Sequence, residues 1–94
     1  HIHCKDMRED ILNKSLEKDW SFREAFLKGA FTVPGDGWID YKPLLKYLKN
    51  IDYEGWLVVE AEQDPAKANP LEYAKKGFKY LSEVCEDIDL KIAL

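Results

Sequence analysis

The stretch that most constrains the fold is Gly55-Trp56-Leu57-Val58-Val59-Glu60-Ala61-Glu62-Gln63-Asp64, an apolar run that passes without a break into acid. Trp56 to Val59 is short, continuous and rich in residues suited to a pleated backbone, with Gly55 before it and Pro65 after the acids. That pattern predicts a strand buried on both faces, as in a parallel sheet. Side chains alternate along a strand, so Trp56, Val58, Glu60 and Glu62 share one face while Leu57, Val59 and Ala61 share the other. Two carboxylates therefore leave the C-terminal end of the strand on the same side. In parallel α/β folds ligands bind at that end.

A second strand opens the chain. His1-Ile2-His3-Cys4-Lys5 alternates, which puts His1, His3 and Lys5 on one face and Ile2 and Cys4 on the other. Asp6 is then expected to cap a helix in which Met7, Ile11, Leu12 and Leu16 fall at helical spacing, up to about Lys18. Ser21-Phe22-Arg23-Glu24 matches a capping box, and the helix it starts carries Phe22, Ala25 and Phe26 inward and ends at Gly29.

The segment from Thr32 to Asp40 is rich in turn residues. Pro34-Gly35 fits the centre of a type II turn, and Gly37 gives the backbone further freedom. Asp40 caps a third helix with Tyr41, Leu44, Leu45 and Leu48 facing in, and Pro43 is tolerated in its first turn. Asn69-Pro70-Leu71-Glu72 starts the last helix. Its inward stripe runs through Leu71, Ala74, Phe78, Leu81, Cys85 and Ile88, widened by Tyr73, Gly77, Tyr80 and Val84. Lys75, Lys76 and Lys79 read as its solvated side.

Strands alternating with helices make this an α/β chain with parallel pairing through right-handed crossovers. Two strands alone leave both sheet edges and apolar surface open to water, so further strands are expected from another polypeptide segment or from self-association. At 94 residues the chain is one domain at most, and it opens on His1, directly on strand-like residues, as a piece of a longer protein would. A net charge of -4 gives no cationic excess for nucleic acid, and no apolar run is long enough for a membrane span. Cys4 and Cys85 show no paired metal-ligand spacing and read as buried, reduced thiols of a cytoplasmic protein.

Three blocks carry a resemblance to a known family. They are His1-Ile2-His3-Cys4-Lys5-Asp6, the segment Gly29-Ala30-Phe31-Thr32-Val33-Pro34-Gly35-Asp36-Gly37-Trp38-Ile39-Asp40-Tyr41, and the segment from Tyr53 through Gly55-Trp56-Leu57-Val58-Val59-Glu60 to Asn69-Pro70. Together they resemble the C-terminal part of the inosose dehydratases, within the wider group of xylose-isomerase-like barrels. The likeness is weakest between Glu9 and Lys28 and after Cys85.

The resemblance implies that residues 1–94 are the C-terminal fragment of such a barrel, a partial (β/α)8 TIM barrel comprising its last two parallel strands with their helices. It also implies a divalent metal, manganese or cobalt, held by Glu, Asp, His and Glu from four successive strands. Here His3 matches the histidine and Glu60 the last glutamate, while the other two ligands would precede His1. The implied chemistry is loss of water from a keto-inositol substrate to give a diketone in inositol catabolism. A sugar isomerase or epimerase on the same barrel, or a non-catalytic remnant that folds only by association, is the alternative.

The residue types suit such chemistry independently of the likeness. A metal held by imidazole and carboxylate polarises a ketone and acidifies the neighbouring C–H, and a nearby carboxylate or lysine moves protons for the departing hydroxyl. Glu60 and Lys5 are the catalytic candidates, with Arg8, Glu62 and Trp38 as candidates for holding substrate. His1 reads as a packing or supporting residue deeper on the same face. Glu62 equally suits a cap, a partner for Lys5 or simple hydration. The Pro34 to Gly37 loop is either turn chemistry or a cover for the site, and Trp38 either its apolar anchor or a pocket wall.

Overall fold

Two strands far apart in the chain lie side by side in the computed structural model, which describes residues 1–61 and 63–93. β1 (Ile2–Cys4) and β4 (Leu57–Val59) pair in parallel, with Ile2 opposite Leu57, His3 opposite Val58 and Cys4 opposite Val59. Backbone bonds extend the ladder at both ends. Ile2 N–H donates to Trp56 O at 3.0 Å, and Glu60 N–H donates to Cys4 O at 2.9 Å.

The crossover between these strands is built from locally determined pieces. α1 (Glu9–Glu17) is followed by α2 (Phe22–Leu27), whose cap Ser21 accepts from the Glu24 amide at 3.2 Å. α2 is capped at Lys28, and the next residue, Gly29, takes a φ of +84° that suits glycine. At Pro34-Gly35 the Asp36 N–H donates to Val33 O at 3.2 Å and Gly35 has φ +90°, the type II geometry expected there. α3 (Tyr41–Asn50) begins at Asp40, whose carboxylate accepts from the Lys42 amide. α4 (Pro70–Asp87) begins at Asn69, whose side chain accepts from the amides of Leu71 and Glu72, with Pro70 in the first turn.

α3 and α4 cover one face of the β1–β4 pair. Cys4, Tyr41, Leu45, Leu48, Leu81, Cys85 and Ile88 form the buried core, and Ile2, Leu57 and Val59 pack against it from the strands. A Lys42–Asp87 ion pair and a bond from Lys49 Nζ to Ile88 O at 2.7 Å join the two helices. The alternation read from the sequence thus holds for both strands, with Ile2, Cys4, Leu57 and Val59 on the helix side.

Several expectations are corrected. The central strand is not buried on both faces, since Trp56 is 68% exposed and Val58 is exposed too. Nothing among the described residues covers that face. Asp6 does not cap α1, which starts after Arg8 without a side-chain cap. Asp6 and Met7 instead form β2 (Asp6–Met7), antiparallel to β3 (Phe31–Thr32), so the described residues hold four short strands in two sheets. Leu16, Phe22, Leu44, Leu71 and Phe78 lie on the predicted inward stripes yet are exposed. Those stripes are wider than the single-sided core can cover. Among the described residues no helix is long and apolar enough to cross a membrane.

At Gly77 α4 comes close to β4 and to Val33. A Cβ there would lie 2.7 Å from Val59 Cγ1 and 3.2 Å from Val33 Cβ. Alanine gains about 1 kcal/mol over glycine within a helix, but overpacking against a stiff β-branched neighbour costs about 1–3 kcal/mol. Gly77→Ala is therefore expected to destabilise the fold by about 1 kcal/mol in urea unfolding, the opposite sign to the same change on an exposed helix face.

Candidate functional site

The uncovered face of the β1–β4 pair gathers His3, Lys5 and Glu60. Cys4 lies opposite Val59, so one further step along both chains brings Lys5 level with Glu60, with His3 diagonal to it. Both oxygens of the Glu60 carboxylate are engaged. Oε1 is hydrogen-bonded to His3 Nδ1, and Oε2 lies 3.7 Å from Lys5 Nζ. The His3 and Lys5 side chains are 57% and 49% exposed. An approaching ligand can therefore reach all three groups.

An imidazole nitrogen beside a carboxylate oxygen is a donor pair suited to divalent transition ions. Among the described residues no group of three or more His, Cys, Asp or Glu is placed to hold a metal. The pair thus fits part of a metal site, whose other ligands would be supplied from elsewhere.

The other candidates are placed differently. His1 is exposed, before β1. Arg8 is turned to the turn-rich segment, where Nη1 donates to Gly29 O at 2.7 Å and Nη2 donates to Asp36 Oδ2 at 2.9 Å and to Thr32 Oγ1 at 3.4 Å. Trp38 is 60% exposed on that segment. Glu62 lies outside the described residues.

A polar network that the sequence did not disclose fixes the crossover beside the site. Asp36 accepts from Arg8, from Thr32 Oγ1 at 2.6 Å and from Lys76 Nζ of α4 at 2.9 Å. Burial alone would raise the Asp36 pKa, but the hydrogen bonds from Thr32 and Lys76, the Lys76 charge and the Arg8 bond outweigh it and hold the carboxyl below its ordinary value. Asp6, 1% exposed, accepts on Oδ1 from the amides of Met7 at 2.7 Å and of Trp38 and Ile39 at 3.0 Å each. Tyr41 donates its hydroxyl to Lys5 O at 2.5 Å. Burial, with the neighbouring Cys4 and Asp6, pushes the Tyr41 phenol up to about 12 despite that bond. The one signal of this network in the sequence is Asp36 itself, an acid between two glycines. Thr32 lies in the same segment, but the other two partners of Asp36, Arg8 and Lys76, come from distant parts of the chain.

The model of the xylose isomerase-like TIM barrels matches residues 1–84. The chain belongs to that family. An inosose dehydratase of Glaesserella parasuis is 58% identical over 84 residues, which is 89% of this chain and 28% of that protein. An inosose dehydratase of Clostridium tetani is 59% identical over 83 residues, 88% of this chain and 28% of the other. The rhizopine catabolism protein MocC of Rhizobium meliloti is 54% identical over 84 residues, 89% of this chain and 26% of the other. The chain thus spans under a third of the length of these barrel relatives.

The depressed Asp36 carboxyl stabilises the fold where it is ionised in both folded and unfolded chains, above about pH 4, and this contribution is lost as pH falls through the folded pKa. Asp36→Asn is therefore expected to lower stability at pH 7 and to flatten the acid limb of a thermal-unfolding profile below about pH 5 relative to the parent chain.

Proposed function

We propose that this chain is the C-terminal part of a metal-dependent inosose dehydratase, a carbon–oxygen lyase that removes water from 2-keto-myo-inositol to give a diketone. The observation that carries this reading is the Glu60 carboxylate, bonded to His3 on one oxygen and facing Lys5 on the other, in a chain 58% identical to an inosose dehydratase. β1 and β4 are then the last two strands of a (β/α)8 barrel. The remaining strands cover the open face, and they fill an apolar groove lined by Tyr53, Trp56, Leu57, Phe78 and Leu81. The free, buried thiols of Cys4 and Cys85 suit a reducing cytoplasm.

His3 and Glu60 would hold a manganese or cobalt ion with two further carboxylates from the preceding strands. When bound, such an ion polarises the substrate ketone and stabilises the negative charge that develops on its oxygen. Glu60 accepts the proton from the carbon beside the ketone. Lys5, 3.7 Å from Glu60 Oε2, donates a proton to the departing hydroxyl, which leaves as water. The resulting enol then tautomerises to the second ketone, so the carbon frame changes only by loss of water. The Trp38 ring packs against the ring carbons, while Arg8, bonded to Gly29 O and Asp36, braces the segment that carries Trp38 and does not contact substrate.

The test is to exchange the matching C-terminal segment of the Glaesserella parasuis relative for this chain and assay the hybrid on 2-keto-myo-inositol. Metal-dependent loss of water is expected, reduced at least about a hundredfold by His3→Ala or Glu60→Gln, with no turnover by the 94-residue chain alone. A hybrid that binds metal and rearranges a ketose without losing water would instead favour a sugar isomerase or epimerase.

A further inference from the structure

Asp6 is the carboxylate that the proposed chemistry leaves unexplained. It sits three residues beyond His3, is 1% exposed, and takes three amide hydrogens on Oδ1 while its buried Oδ2 has no hydrogen-bond partner among the described residues. A buried acceptor left unsatisfied is rare and costly. A neutral side chain could close a turn with less desolvation, whereas a carboxylate gives charge-assisted bonds about twice as strong as neutral ones. The turn-rich segment is pressed onto it. A Cβ at Gly37 would lie 2.4 Å from Asp6 Cγ and 2.6 Å from Met7 O, and the Trp38 amide also donates to Met7 O at 3.0 Å.

What these bonds hold is apolar and exposed. Trp38 and Ile39 stay open to solvent although their amides are pinned to the segment that ends β1. At about 3.3 Å per residue along an extended chain, that pinning point lies within about 10 Å of His3. The sheet face there carries imidazole, ammonium and carboxylate, which suit hydroxyl and carbonyl oxygens. A saturated polyol ring also has a face of C–H bonds, which an indole ring complements.

We propose that Asp6 is a positioning residue that sets the Trp38–Ile39 segment from beneath, so that Trp38 forms an apolar wall beside the polar wall of His3, Lys5 and Glu60. The proposal rests on the reading of that cluster as a polyol site. Asp6 acts through Trp38 and touches no reacting atom.

Amide hydrogen exchange on the 94-residue chain tests it. Asp6→Ala is expected to speed exchange at Trp38 and Ile39 about tenfold or more while leaving Leu45 of the core protected, and Asp6→Asn, which keeps an acceptor, restores both amides to within about threefold. Gly37→Ala, which drives a methyl into the carboxylate, is expected to reproduce the loss and serves if Asp6→Ala fails to fold. In a chain with Trp38 as its one indole (Trp20→Phe, Trp56→Phe), myo-inositol is expected to alter Trp38 emission, and Asp6→Ala to weaken that response about tenfold. Unchanged exchange at Trp38 and Ile39 in the variants, or failure of Asp6→Asn to restore it, would overturn the proposal, as would an inositol response equal in parent and Asp6→Ala. Absence of any inositol response in the parent counts against the polyol site, and the exchange rates still decide whether Asp6 sets the segment.

Discussion

The parallel pairing of β1 with β4 is the constraint on which the rest depends. Two bonds close the ends of a three-residue ladder, Ile2 N–H to Trp56 O and Glu60 N–H to Cys4 O, and this register puts Lys5 level with Glu60. A slip of one residue would turn Glu60 toward α3 and α4 and expose Val59 in its place. Placing the acid beside His3 and burying Leu57 and Val59 are therefore one choice. The crossover has to be long because parallel strands cannot be joined by a tight turn. That length is what brings the Thr32–Asp40 segment to the end of β1.

What was legible in the sequence is what short-range chemistry decides. Ser21, Asp40 and Asn69 cap their helices as read, since a cap needs only an oxygen and an amide two or three residues on. The faces of both strands follow from alternation alone, and so does the grouping of His3, Lys5 and Glu60 once the strands are paired. Asp6 was misread because an acid ahead of an apolar periodic run looks like a cap from the sequence side. Its partners are the amides of Trp38 and Ile39, far along the chain. The β2–β3 pair was missed for the same reason, since two residues on each side carry no period. Double-sided burial of Trp56 to Val59 is what composition suggests for a parallel sheet, but among the described residues only the Leu57 and Val59 face is packed, because an apolar run carries no record of which layer covers each face.

The open face therefore separates two kinds of residue. Cys4, Leu45, Leu81 and Cys85 are buried within this chain and account for its own core. Val58 lies on the other side of the same sheet, and Trp56, just before β4, stays 68% exposed. A family member spanning 28% of the length of its relatives is expected to show this one-sidedness, because a closed barrel uses both faces of every strand. His3 and Glu60 share the face that α3 and α4 leave uncovered.

The turn-rich segment is a fixed part of this site. A covering loop that opens and shuts needs few buried contacts and bonds that water can replace. Here Gly35 packs against the Tyr80 ring so closely that a Cβ would lie 2.6 Å from it, Asp36 ties Arg8, Thr32 and Lys76 together, and Asp6 holds the next two peptide groups from a position 1% exposed. Tyr41, the first residue of α3, closes the same circuit through Lys5 O. Moving the segment would break bonds at both of its ends and at its centre together, and would strand two carboxylates away from water. The segment is better suited to hold a rigid wall and to keep the Lys5 backbone in register with Glu60.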